Sequence, residues 1–113
     1  MHEVGLAQEV VRIVEEAALG DGGGRVRAIR LEVGALAGIE VESLRFALEA
    51  MLPGTVAQGA GIEIESIPGR GECAACGGRG EVWERLDLCP GCGAPREEIC
   101  GGVEFLVRNL DLE

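Results

Sequence analysis

The amino-acid sequence predicts an α/β fold, a small three-stranded mixed sheet with two helices, interrupted late in the chain by an inserted module rich in cysteine and glycine. Three observations predict it. Apolar residues recur at three- and four-residue steps in two stretches, and they alternate with polar residues in three others. Between the last two alternating stretches the aliphatics give way to glycines and paired cysteines.

The elements follow in order. Over residues 4–19, Val4, Ala7, Val10, Val11, Val14, Ala17 and Ala18 share one side of a helix, with Gln8, Arg12, Glu15 and Glu16 opposite. Gly20, Asp21, Gly22, Gly23 and Gly24 end it in a flexible loop. Ile29, Leu31 and Val33 then alternate with Arg30 and Glu32, a strand with one apolar face. Leu44, Ala47, Leu48 and Met51 place a second amphipathic helix over residues 41–51, stopped by Pro53 and Gly54. Ile62 and Ile64 alternate with Glu63 and Glu65 in a second strand. A strand, helix and strand in one sheet implies a parallel, right-handed crossover. The last strand begins with Val103, Phe105 and Val107 and shifts phase to Leu110 and Leu112, which implies a bulge or kink near Arg108 and Asn109. Residues 1–70 and 99–113 are thus read as the α/β domain and residues 71–98 as the inserted module.

Composition narrows the chemistry. With 113 residues there is room for one compact domain and a small accessory module. Two Phe, one Trp and no Tyr require an aliphatic core. A formal charge of −10 opposes nucleic acid and anionic membrane surfaces and favours cations. All ten basic residues are Arg, which removes Schiff-base and phosphate-loop lysines. The single histidine is His2, and the hydroxyl side chains are Ser43, Thr55 and Ser66, so a nucleophilic triad would need a base at the flexible terminus. No leader pattern or long apolar run appears. The expectation is a cytoplasmic protein that is not an enzyme.

The strongest signal is a pair of C-x-x-C-G knuckles, Cys73 to Gly77 and Cys89 to Gly93. Two intervening residues let one turn aim both sulfurs at one ion, and the glycine lets backbone N–H groups fold over the thiolates. Four thiolates close a tetrahedron around structural Zn²⁺, which makes the module a zinc ribbon. Rubredoxin-like iron, paired disulfides and a dithiol redox couple are the rivals. A closed tetrahedron has no open position for hydrolysis, so its role is folding. Trp83 and Leu86 are expected to pack around this ribbon. Cys100 is read as a small buried hydrophobe at its root, with a labile or intermolecular thiol as the alternative.

The N-terminal tripeptide offers a second candidate metal site. A free α-amine at Met1, the amide nitrogen of His2 and its Nδ1 can close fused chelate rings, a nitrogen-rich plane suited to Ni(II) or Cu(II). It requires Met1 to be retained, which the bulky second residue favours. The plain alternative is an unconstrained surface histidine.

Taken together, Met1-His2-Glu3-Val4 leading to Gln8, Leu31-Glu32-Val33-Gly34 followed by Leu36-Ala37-Gly38, Pro68-Gly69-Arg70-Gly71 before the knuckles, and Gly102-Val103-Glu104-Phe105 resemble the HypA/HybF family. The resemblance spans essentially the whole chain. It implies a nickel metallochaperone for maturation of NiFe-hydrogenase, with zinc held by Cys73, Cys76, Cys89 and Cys92 and nickel by Met1, His2 and Glu3. Glu40 sits where some relatives place an acidic group close to nickel, and equally suits a helix start. The implied partners are a nickel-binding GTPase and the hydrogenase large-subunit precursor, with a homodimer and service to urease left open. Two departures stand out: Gly5 replaces a frequent Ser and loosens an early helical turn, and a second histidine found in some relatives is missing. The competing function is a zinc-ribbon interaction adaptor with no transferable metal, and a third is electron transfer through the cysteines.

Overall fold

A computed structural model describes residues 2–94 and 98–113. Its elements run α1 (His2–Gly20), β1 (Val26–Gly34), α2 (Val41–Met51), β2 (Gly61–Ile67), β3 (Gly69–Glu72), β4 (Arg79–Val82), β5 (Glu98–Cys100) and β6 (Phe105–Leu112). Two three-stranded sheets form, ordered β2-β1-β6 and β4-β3-β5. The chain divides into two compact units. The first comprises Met1–Glu32, Ile39–Glu65 and Leu106–Glu113, and the second Val33–Gly38 and Ser66–Phe105.

The first unit follows the apolar periodicities. Ala7, Val10, Val14 and Ala18 are the buried stripe of α1, and Leu44, Ala47 and Leu48 that of α2. The two helices pack on each other. Ile29 and Leu31 are buried at alternate positions of β1, the middle strand of its sheet. Each buried Leu or Ile stabilises the fold by about 1.5–3 kcal/mol relative to exposure. Val4 and Ala17, at the margin of the helical stripe, are exposed. The first helix ends as the glycines require, with the Gly23 N–H donating to Ala18 O at 2.8 Å and Gly22 and Gly23 at positive φ. Strand order places β1 and β2, the strands joined through α2, side by side.

The polar face of this sheet carries a charged lattice. Arg30 donates to both carboxylate oxygens of Asp111 at 2.9 and 3.0 Å and to Asn109 Oδ1 at 2.9 Å, and pairs with Glu63 at 2.6 Å. Arg108 lies 3.2 Å from both Glu32 and Glu65. Arg108 and Asn109 are consecutive exposed residues within the continuous strand β6, so the alternation slips there, as the sequence phase shift predicts.

In the second unit β3 is the middle strand. Gly71 pairs with Gly80 on one side and Ile99 on the other. Among the described residues, Val82, Cys73 and Leu36 are its buried side chains along with Val33 and Cys89. Backbone passes close to backbone at Gly34, where an added Cβ would collide with Gly102, and at Gly102, whose φ is +77° and whose Cβ would meet Gly69 N at 2.6 Å. Two expectations fail in this unit. Trp83 is 45% and Leu86 91% exposed, because the sulfur cluster occupies the small interior and leaves no room to enclose an indole. Their loop is held instead by Asp87, whose Oδ2 accepts from the N–H groups of Trp83 and Glu84 at 3.0 and 3.1 Å. Cys100 is exposed on the short strand β5 and is not a core residue.

Candidate metal centres

The four cysteines of the paired knuckles converge. All four sulfurs lie within 4.8 Å of one another, with Cys73 and Cys92 at 3.5 Å and Cys76 and Cys89 at 3.7 Å. A tetrahedron with Zn–S bonds of about 2.3 Å has S···S edges of about 3.8 Å, so the spacing fits a tetrathiolate ion. The two knuckles repeat one local design. Gly77 N–H donates to Cys73 O and Gly93 N–H to Cys89 O, each at 2.7 Å, with the glycines at φ +73° and +77°. Cys73 N–H donates to Gly78 O and Cys89 N–H to Ala94 O, each at 2.8 Å. Each knuckle buries its first cysteine and exposes its second.

Electrostatics show why a divalent cation would fit here. The amide of Cys76, with that of Ala75, holds the Cys73 thiol below the usual range. The amides of Gly91 and Cys92 bring Cys89 down to about 6. Cys92 shows the opposite balance: the Ala94 amide draws it down, but the thiols of Cys73 and Cys76, with burial and Cys89, push it up to about 12. Backbone dipoles thus favour the first thiolates, and their mutual repulsion blocks the last one. A divalent cation removes that repulsion. Zn²⁺ at this place would need Cys73, Cys76, Cys89 and Cys92 as ligands and would serve as a structural crosslink.

The N-terminal candidates are arranged by α1 and α2. His2 opens α1 with a 60% exposed side chain, and its Nδ1 lies 3.7 Å from Glu3 Oε2. The same Glu3 oxygen accepts the backbone N–H of Glu40 at 3.0 Å. That hydrogen bond is the main cause holding the Glu3 carboxyl below the usual range. Glu40 is the N-cap of α2, and its side chain makes no capping hydrogen bond. The structure therefore brings His2, Glu3 and the backbone of Glu40 together. Met1 lies outside the described residues. The amides of the first helical turn have no acceptor within the helix, which leaves the His2 nitrogen outside the α1 ladder. A helix N-terminus repels a cation by itself, and the Glu3 carboxylate offsets that field.

Sequence reasoning missed the Glu3-to-Glu40 contact. Its trace in the sequence is Ser43 at position N3 of α2, where a capping box would place the Glu or Gln that accepts the N-cap N–H.

Among known proteins, the chain matches the family model described as "Hydrogenase/urease nickel incorporation, metallochaperone, hypA" over residues 1–112. It is 44% identical over 113 residues to "Hydrogenase maturation factor HypA" of Azotobacter vinelandii, covering 100% of both chains. It is also 44% identical over the full length of both chains to the protein of that name from Chlorobaculum tepidum. Its fold is similar to the solution structure of the Ni metallochaperone HypA from Helicobacter pylori, with a TM-score of 0.67 at 17% identity, covering 97% of this chain and 96% of that one.

Proposed function

The chain belongs to the HypA family of nickel-incorporation metallochaperones, and from that premise we propose that it is a nickel carrier for NiFe-hydrogenase maturation. It binds Ni(II) through the Met1 amine, His2 and Glu3, and Zn²⁺ at Cys73, Cys76, Cys89 and Cys92 holds the inserted module in shape. The division follows the reading of residues 1–70 with 99–113 as the nickel-binding domain and 71–98 as the zinc-binding one. The family is one of metallochaperones and not of enzymes.

The observation that carries the nickel assignment is the exposed imidazole of His2 beside a Glu3 carboxylate pinned by the Glu40 amide. A seat made from a chain end and two side chains exposes the ion on one side. Delivery then proceeds by ligand exchange: a nickel-binding GTPase or the hydrogenase large-subunit precursor supplies better-formed ligands, and the chain's own set lets go. Glu40 contributes its backbone, and its carboxylate stands at the same helix start as a further oxygen ligand. The acidic surface raises the local concentration of cations.

The test is equilibrium dialysis of zinc-loaded protein with a native, untagged beginning, together with nickel X-ray absorption. The expected result is one nickel per chain beyond zinc, in a nitrogen- and oxygen-rich environment. His2→Ala, or acetylation of the α-amine, should weaken binding by about tenfold or more. Affinity unchanged by either would falsify the seat, and no extra nickel would leave a zinc-ribbon adaptor as the function.

A further inference from the structure

A groove of ≈ 440 Å³ lies between α1 and α2, lined by Glu3, Val4, Glu42, Ser43, Phe46 and Ala47. Phe46 is 75% and Val4 38% exposed. A lone exposed apolar residue is ordinary. This one is different in setting. The stripe by which α2 packs is Leu44, Ala47 and Leu48, so Phe46 lies off it and the unit's own core makes no use of the ring.

The rim supplies the charge. Glu42 is the exposed carboxylate on the apolar wall, and no basic residue is among the described residues that line it, whereas the Glu3 side chain is 16% exposed and accepts the Glu40 N–H. The Glu42 side chain is 78% exposed, and its cationic neighbour, Arg45 Nε, is 3.9 Å away while Arg45 donates through Nη1 to Ile62 O at 2.8 Å. The formal charge of the chain is −10. A second copy of the chain would bring like-charged rims together, and so would an acidic segment.

We propose that this groove docks a segment of a partner protein that carries an aliphatic anchor flanked by arginine or lysine, placing the partner next to His2 and Glu3. The anchor removes Phe46 and Val4 from water, and a flanking cation pairs with the Glu42 carboxylate at the rim. Because Glu3 both lines the groove and stands 3.7 Å from His2 Nδ1, a docked partner has its own side chains beside the N-terminus. The inference goes beyond the nickel reading and needs no metal to be bound.

The test uses a fluorescently labelled helical peptide with two leucines one turn apart and arginines on either side, titrated with the full, zinc-loaded chain in the absence of nickel. The expected result is saturable binding that Phe46→Ala weakens by about tenfold or more. Glu42→Lys should weaken it too and flatten its dependence on salt. Leu19→Ala, which removes an equally exposed apolar side chain at the far end of α1, should leave it unchanged. Circular dichroism checks that each variant is folded. No saturable binding, equal binding by Phe46→Ala, equal binding of a peptide with serines for its leucines, or a Phe46-dependent dimer of the chain in sedimentation would each overturn the proposal. Since nickel is absent throughout, failure here leaves the nickel seat standing, and failure of that seat leaves the groove.

Discussion

At Glu40 the second helix begins without help from its own side chains: the N-cap carboxylate makes no capping hydrogen bond, and position N3 is Ser43 in place of the Glu or Gln that closes a capping box. Glu3 supplies the missing acceptor from the other helix. In the nickel seat proposed above, metal binding and helix capping would share this one carboxylate. Glu3→Ala should fray the first turn of α2, read as faster amide exchange at Glu40, and weaken nickel binding together with it. Glu3→Gln keeps a neutral acceptor and should restore the protection but not the affinity. The pH dependence has a definite sign. Because the folded Glu3 carboxyl is held below its ordinary value, chiefly by the Glu40 N–H, its stabilisation is full above the unfolded-chain value of about 4.3. It is lost as pH falls through the lowered folded value. Asp111, lowered first by its hydrogen bonds from Arg30, adds to the same acid limb. Arg30→Gln should make stability less steeply dependent on pH in that range, measured by urea unfolding at successive pH values.

Helices and strands were legible wherever one face is apolar and the other polar, since burial on one side imposes a period that survives in the sequence. The stripes of α1 and α2 and the alternation of β1 are of this kind. The two knuckles were legible because metal geometry fixes their spacing. What stayed hidden depends on tertiary placement: Phe46 belongs to a helix with an apolar stripe yet sits off it, and Trp83 and Cys100 are apolar or thiol residues in a module too small to cover them. Contacts such as that of Glu3 with Glu40 join residues far apart in the chain and leave no local pattern. Two substitutions test the element-level account. An added Cβ at Gly5 meets nothing within 4 Å. Gly5→Ala should stabilise α1 by about 0.5–1 kcal/mol and raise the melting temperature by roughly 2–6 °C. Leu48→Ala removes a fully buried side chain from α2. It should cost about 2–5 kcal/mol, read from denaturant midpoints at unchanged slope.

At the scale of the whole molecule the two units differ in what holds them together. Among the described residues, the first unit buries Ala7, Val10, Val14, Ile29, Leu31, Leu44 and Leu48, with further small aliphatics around them. The second buries few side chains, two of which are the cysteines Cys73 and Cys89, and fills the rest of its interior with close backbone approaches at Gly34, Gly69 and Gly102. Hydrophobic burial scales with apolar area, so the second unit has little of it to set against the conformational entropy of its glycine-rich chain. With an ion held by the four thiolates, as proposed above, the difference would be supplied, because binding to a site that exists only when folded adds its free energy to folding. Removing zinc with a strong chelator at neutral pH should therefore strip amide-exchange protection from β3, β4 and β5 while α1 and α2 remain helical. Cys89→Ser should produce the same pattern without chelator. Retention of protection in β3 and β4 after complete zinc removal, verified by metal analysis, would show that the glycine contacts and Val82 suffice without the ion. Gly34→Ala gives the complementary case: its Cβ runs into the Gly102 backbone, so it should weaken the second unit even with zinc bound, and excess zinc should recover only part of the lost protection.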